Sequence, residues 1–208
     1  MTSRGVGMSI KAPFLSYQEI AKAAHECGLK YHPRGTVPVP IEEIIDIGFR
    51  IDIVPEYGME DRFQAVAFIT NDLKEIRVDR RVYEYQPGRL RFSLAHELAH
   101  LVLHADAYRQ LAFENTAEWK ATMTGIPERE YSFLEYHANT FAGLLLVPPQ
   151  PLLERFEAVV EKIRQAGLDV RQLPDVVYDR LLGKLAQDFD VSRGVVERRL
   201  ERDQLWHP

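Results

Sequence analysis

Residues 90–104, LRFSLAHELAHLVLH, place Leu90, Leu94, Leu98 and Leu101 at the three-to-four-residue spacing of a helix with one face in a core. That helix also carries His96, Glu97 and His100 near its buried side. Titratable groups there are costly unless they are paired or hold a metal, so the fold must bring partners to this helix. With 3.6 residues per turn, positions 96 and 100 lie one above the other and their imidazoles can grip one ion. The run reads as HExxH, the arrangement of a helical zinc site. A catalytic zinc keeps one position open to water and lowers the pKa of that water to about 7. Glu97, beside the two histidines, is placed to take the proton.

A chain of 208 residues with 46% hydrophobic content can bury one large core, or one core with a small appendage. Cys27 is the only cysteine, which excludes an internal disulfide and a thiolate zinc cluster. No run approaches the length of a membrane span, and the start MTSRGVGMSIKAP lacks the apolar run of a signal peptide, so a cytoplasmic protein is expected. The formal charge of −5 argues against a phosphate-binding surface over the whole domain.

Ser16 and Glu19 form a capping box opening a helix that is expected to stop at Gly28. After the connector YHPRGTVPVP, the segment IEEIIDIG reads as a short helix ended by Gly48. Alternation through Phe49, Ile51 and Ile53, the apolar FQAVAFIT, and EIRVD after the turn Asn71-Asp72 predict three strands forming a small antiparallel meander. Helices, then a sheet, then the motif helix give an α+β class with the sheet covering one side of that helix.

Two positions compete as third metal ligand. Asp106 stands where the metzincin pattern has one, six residues past His100, but Leu103 replaces the Gly that would turn the chain back. The alternative is a second helix, YSFLEYHANTFAGLLLVP. It sets Glu135, Asn139 and Ala142 on one face, with Leu134, Phe141 and Leu145 on the neighbouring apolar face. The small Ala138, Ala142 and Gly143 permit close approach, and Glu135 would face the histidine pair. Two His and one Glu make an open zinc site.

At these residues the chain resembles the ImmA/IrrE-type metallopeptidases, cytoplasmic proteases linked to cleavage of helix-turn-helix repressors. The resemblance runs in the family's order through VPVPIEEIIDIGFRIDI, RFSLAHELAHLVLH, EYHANTFAGLLLVP and LAQDFDVSRGVVERRL, the middle two being the specific segments. It implies His96, His100 and Glu135 as zinc ligands, Glu97 as catalytic base and a helix-turn-helix repressor as substrate. It also implies a zincin-like core over residues 1–150 and a C-terminal helical region over 151–208. Ala99 stands where the family often has Gly, which keeps the helix. The long stretch from Ala105 to Tyr131 bears on the shape of the substrate cleft.

Other polar residues carry two readings. His104, four past His100, is either a supporting hydrogen-bond donor on the rim of the site or a satisfied structural histidine. Asn139 either orients a ligand or serves helix packing. Tyr108, Tyr131, Tyr136 and His137 are candidates to stabilise an oxyanion. His25, His32 and His207 have no partner spacing and read as surface or packing residues.

In the tail, LLGKLAQDF, a turn at Asp190-Val191 and a helix capped by Ser192 have helix-turn-helix spacing. Arg193, Arg198, Arg199 and Arg202 are expected on the exposed side of the last helix, interleaved with Glu197, Glu201 and Asp203 in the manner of a solvated, ion-paired face. Duplex DNA is therefore not the expected partner, although these arginines could contribute to capture of a folded acidic partner. Leu185, Phe189, Val195, Val196 and Leu200 are too many for so short a hairpin standing alone, so it is expected to pack on the core. The sequence supports a zinc endopeptidase using activated water. Against it stands a DNA-binding or partner-binding transcriptional regulator with a non-catalytic zinc site.

Overall fold

The structure is a computed structural model that describes residues 12–169 and 173–206; His207 and the N-terminal stretch read above lie outside them. Helix α1 (Tyr17–Tyr31) opens with the expected capping box. It does not stop at Gly28 but continues to Tyr31. Gly28 keeps helical geometry, and a Cβ there would make only an ordinary contact 4.0 Å from Leu145, so this glycine does not end the helix. The next helix begins as one turn, α2 (Ile41–Glu43), and continues as a π-helical stretch over Ile44–Phe49. Arg50, with φ of 57°, ends it. Gly48 is a contact residue, because a Cβ there would lie 2.7 Å from the Tyr31 ring.

Strands β1 (Asp52–Glu56), β2 (Ala67–Ile69) and β3 (Glu75–Asp79) form the small sheet of an α+β fold. The expected antiparallel meander is corrected to a mixed sheet of order β1-β3-β2, with β1 parallel to β3 and β2 antiparallel to it. The cause lies between β1 and β2. Helix α3 (Met59–Phe63), bounded by left-handed residues Gly58 and Gln64, carries the chain across the sheet, and parallel neighbours require such a crossover. Phe63 and Gln64 are thereby taken out of the predicted strand. The turn at Asn71-Asp72 is present: Asp72 Oδ1 accepts from Thr70 Oγ1 at 2.7 Å and from the Lys74 amide at 3.2 Å.

Helix α4 (Arg80–Tyr85) is capped by Asp79 and leads into the long motif helix α5 (Pro87–Tyr108). Residues 105–131 hold α6 (Thr116–Gly125), capped by Asn115. Trp119 of α6 stacks on Phe68 of β2 with ring centroids 4.9 Å apart. Helix α7 (Glu128–Leu146) packs along α5. Ala95, Ala99, Ala138 and Ala142 are fully buried and let the backbones approach, while Leu94, Leu98 and Phe141 fill the core around them. Each such large apolar side chain contributes about 1.5–3 kcal/mol on burial.

Helices α8 (Pro149–Gln165), α9 (Asp175–Phe189) and α10 (Arg193–Arg202) complete the described chain. The α9–α10 turn carries Asp190 in the left-handed region. Leu185, Phe189, Val195, Val196 and Leu200 are all buried. The hairpin is docked through polar contacts as well. Arg91 of α5 donates to the Asp190 carbonyl at 3.0 Å, and Arg199 Nε donates to the Val147 carbonyl at 3.2 Å. Arg199, expected on the exposed side, is only 4% exposed. Its guanidinium pairs with Asp203 at 2.7 Å and donates to Tyr17 Oη at 2.8 Å, so it fastens α10 to α1 and the α7 terminus.

Candidate metal centre

His96 and His100, one turn apart on α5, converge with Glu135 of α7. The two Nε2 atoms are 3.2 Å apart, and the Glu135 carboxylate oxygens lie 3.5 Å from His96 Nε2 and 3.8 Å from His100 Nε2. One ligand atom from each of the three falls within 4.8 Å of the others. Two nitrogens bound to one ion at about 2.1 Å and a tetrahedral angle would lie roughly 3.4 Å apart, so these residues fit a shared ion. Asp106 is not brought to the site. Its side chain is 98% exposed and pairs with Arg109 at 3.0 Å.

The donor chemistry agrees with this fit. Burial, then the proximity of His96, His104 and His137, lower the His100 pKa well below its ordinary value, so the ring is neutral and keeps a free lone pair. Burial alone would also lower His96. Its hydrogen bond to Glu135 and the charges of Glu97 and Glu135 outweigh that, and Asn139 adds a further hydrogen bond. Asn139 thus lies beside the His96 ring.

Behind His100 runs a chain of buried imidazoles. His100 Nδ1 is 3.0 Å from His104 Nδ1, and His104 Nε2 is 3.1 Å from His137 Nδ1. Burial, then the neighbouring His137 and His96, lower the His104 pKa to about 3, and burial lowers that of His137. All three rings are therefore neutral near pH 7. A neutral imidazole has one donor and one acceptor, so the direction of one bond fixes the rest. If His100 offers its Nε2 lone pair outward, its Nδ1–H donates to His104, whose Nε2–H donates to His137. The sequence places His104 on the rim of the site; in the structure it is 2% exposed and sits behind His100. The helical backbone changes direction at this residue, with φ of −130° and ψ of 15°. In sequence His137 reads only as an oxyanion candidate; its bond to His104 spans two helices, which local spacing does not show.

Glu97 is 7% exposed, and its carboxylate accepts the Ile69 backbone N–H at 3.0 Å. Burial raises its pKa to about 7; the His96 charge and the Ile69 bond oppose this, and Glu135 adds to it. In β2 the residues Val66 and Thr70 bond to β3, so by alternation Ala67 and Ile69 turn their backbone groups to the open edge. Edge strand and carboxylate thus border one cleft of about 250 Å³, also lined by Tyr108, Trp119, Met123 and Tyr131. The stretch between the ligand helices therefore supplies one wall of the cleft.

Of the oxyanion candidates, Tyr108 and Tyr131 line this cleft. Burial, then the Glu135 and Glu97 carboxylates, push the Tyr131 pKa up to about 12, so its hydroxyl stays protonated. Tyr108 is shifted well upward for the same reasons, but it is 4% exposed and packs on the His100 ring at 4.8 Å. Tyr136 faces away from the cleft and accepts from Arg202 at 2.9 Å. His25 is exposed, and His32 bonds the Thr36 carbonyl at 2.8 Å; neither joins the centre. No helix among the described residues is long and apolar enough to cross a membrane.

The Peptidase_M78 family model, described as an IrrE N-terminal-like domain, matches residues 70–201. No curated protein matches the sequence significantly. Among solved structures, a Mycobacterium tuberculosis transcriptional regulator is similar in fold, with a TM-score of 0.54 over 88% of this chain at 19% identity. The match covers 46% of the regulator, so this chain spans about half that protein's length.

Proposed function

The chain belongs to the Peptidase_M78 family, and from that membership we propose that it is a zinc-dependent endopeptidase. The family implies a metal, and His96, His100 and Glu135 are the residues proposed to hold it. The observation that carries the reading is the meeting of these three with the Glu97 carboxyl in one cleft beside an open strand edge. A bare structural metal site needs no second carboxyl group beside its three ligands. The substrate that the sequence resemblance points to is a helix-turn-helix repressor.

Zinc, when bound, acidifies water and polarises a carbonyl. Glu97 is the base: its carboxylate, held beside the histidine pair by the Ile69 N–H, can accept a proton from the attacking water and return it to the departing amine nitrogen. Tyr131 is the group that donates to the carbonyl oxygen as negative charge develops there. The outward N–H and C=O of Ala67 and the C=O of Ile69 align an extended chain along β2, the Ile69 N–H being held by Glu97.

Incubation of the zinc-loaded protein with a proteome-derived peptide library, read by mass spectrometry, tests this. Wild type is expected to cut, and Glu97→Gln to bind zinc equally while cutting about a hundredfold or more slowly. Undiminished cleavage by the variant removes the base assignment. Absence of cleavage by wild type on both the library and helix-turn-helix repressors favours a regulator that binds without cutting.

A further inference from the structure

A second depression, of about 720 Å³, lies between α1, α7 and α10 and is lined by Tyr17, Tyr136, Asn139, Arg198 and Arg202. It adjoins the metal centre: Phe92 of α5 lines both this groove and the catalytic cleft, and Asn139 on its wall is the residue that bonds His96. Its charge is the feature without a use so far. Arg199 is committed to Asp203 and Arg193 stands 3.9 Å from Asp179, but Arg198 and Arg202 have no carboxylate within ion-pair distance among the described residues. Arg202 is held in place without one. Its guanidinium lies 5.1 Å from the centroid of the Tyr17 ring and 5.3 Å from that of Tyr136, and it donates to Tyr136 Oη. An arginine fixed between two rings has already lost the rotamer freedom that binding would otherwise cost, and its planar fork matches a carboxylate. Glu201 is the one acidic residue in the lining.

We propose that this groove is a substrate subsite selecting an aspartate or glutamate side chain, with Arg202 as its fixed recognition group and Arg198 as its second cation. The inference rests on the peptidase reading. Phe92 lines both depressions and Tyr136 follows Glu135 directly in α7, so the groove opens beside the metal site, within roughly three residues of an extended chain that rises about 3.3 Å per residue. The selected side chain is therefore placed two to four residues from the bond to be cut. A substrate with a lysine there would meet two uncompensated cations beside the aromatic clamp, so the same groove rejects basic segments.

The test is a cleavage-specificity profile of the zinc-loaded full chain on the peptide library, followed by synthetic peptides identical except for Glu, Gln or Lys at the enriched position. Wild type should show acidic enrichment two to four residues from the cleaved bond. It should prefer Glu over Gln by roughly tenfold in kcat/KM, a preference that weakens with added salt. Arg198→Ala/Arg202→Ala should bring the Glu-to-Gln ratio close to one, and Arg202→Glu should shift preference to the Lys peptide, each with unchanged zinc content as the control for folding. Cleavage by wild type without acidic enrichment overturns the subsite and leaves the peptidase intact. So does an unchanged Glu-to-Gln ratio in the folded double variant. A wild type that cuts nothing in the library or among repressors removes both.

Discussion

Replacing His104 separates support of the metal from mere occupancy of the core. The side chain is 2% exposed and bridges His100 Nδ1 and His137 Nδ1 at 3.0 and 3.1 Å. His104→Leu removes both bonds. Partners that orient a ligating histidine are typically worth ten- to a hundredfold in metal affinity, which at about 1.4 kcal/mol per decade is roughly 1.4–2.8 kcal/mol. The apo protein suffers separately, since two buried ring nitrogens left unpaired cost about 1–3 kcal/mol each. Against a typical total stability of about 5–15 kcal/mol, the leucine variant is expected to be weakened but measurable. His104→Gln offers an amide oxygen to the His100 N–H and an amide N–H to His137, and so should recover most of the zinc affinity. The assay is competition for zinc against a chromophoric chelator at pH 7.5, with urea unfolding of each apo protein in parallel. If the folded leucine variant binds zinc as tightly as wild type, or the glutamine variant is no better than leucine, the imidazole chain does not orient His100.

Alanine at His96, His100 or Glu135 should drop zinc well below one per chain by elemental analysis, while Asp106→Ala, at a 98% exposed side chain, should leave it unchanged. Asp203→Ala leaves the buried Arg199 guanidinium without its carboxylate and should cost about 3 kcal/mol in urea unfolding; an unchanged midpoint would mean that Tyr17 and Val147 suffice to satisfy it. Burial raises the Cys27 pKa to about 11 from an ordinary 9, so the folded chain keeps a proton that the unfolded chain releases. Stability from this group is therefore full below about pH 9 and falls as pH rises toward 11, and the Cys27→Ala variant should show a shallower decline over that range. Wild type should retain duplex DNA weakly and without sequence preference; nanomolar, sequence-specific binding with a steep salt slope would make the hairpin a DNA reader instead.

The local signals in the sequence were of unequal reach. The α5 stripe, the Ser16–Glu19 box, the Asn71-Asp72 turn and the small residues of α7 depend on neighbours within one or two turns, and a single chain displays such neighbours directly. The two glycines read as helix stops lie within or beside continuing helical turns. Gly48 admits the Tyr31 ring and Gly28 is an ordinary helical residue beside Leu145, and spacing cannot distinguish either from a glycine that ends a helix. Strand direction failed likewise, since the three β-prone runs look the same whether β3 lies at the edge or, as here, in the middle.

The same division between local and distant causes runs through the site. Glu135 could be proposed from its helical face, because a carboxylate beside small residues needs only that two helices pack. The Ile69 N–H that holds Glu97 depends on which edge of β2 stays open, and that follows from the crossover through α3, which local pattern does not reveal. Arg199 is the clearest case. By period it belongs with Arg198 and Arg202 on a charged face, yet Asp203 one turn later, Tyr17 of α1 and the Val147 carbonyl together satisfy it in the interior. Burying one arginine of the four tightens the hairpin against α1 and the α7 terminus and leaves Arg198 and Arg202 on the wall of a groove. A charged face that reads as solvated decoration in sequence is thereby divided between one buried tie and arginines that stay on the surface, and what divides it is that Arg199 alone meets Tyr17, the Val147 carbonyl and Asp203 together.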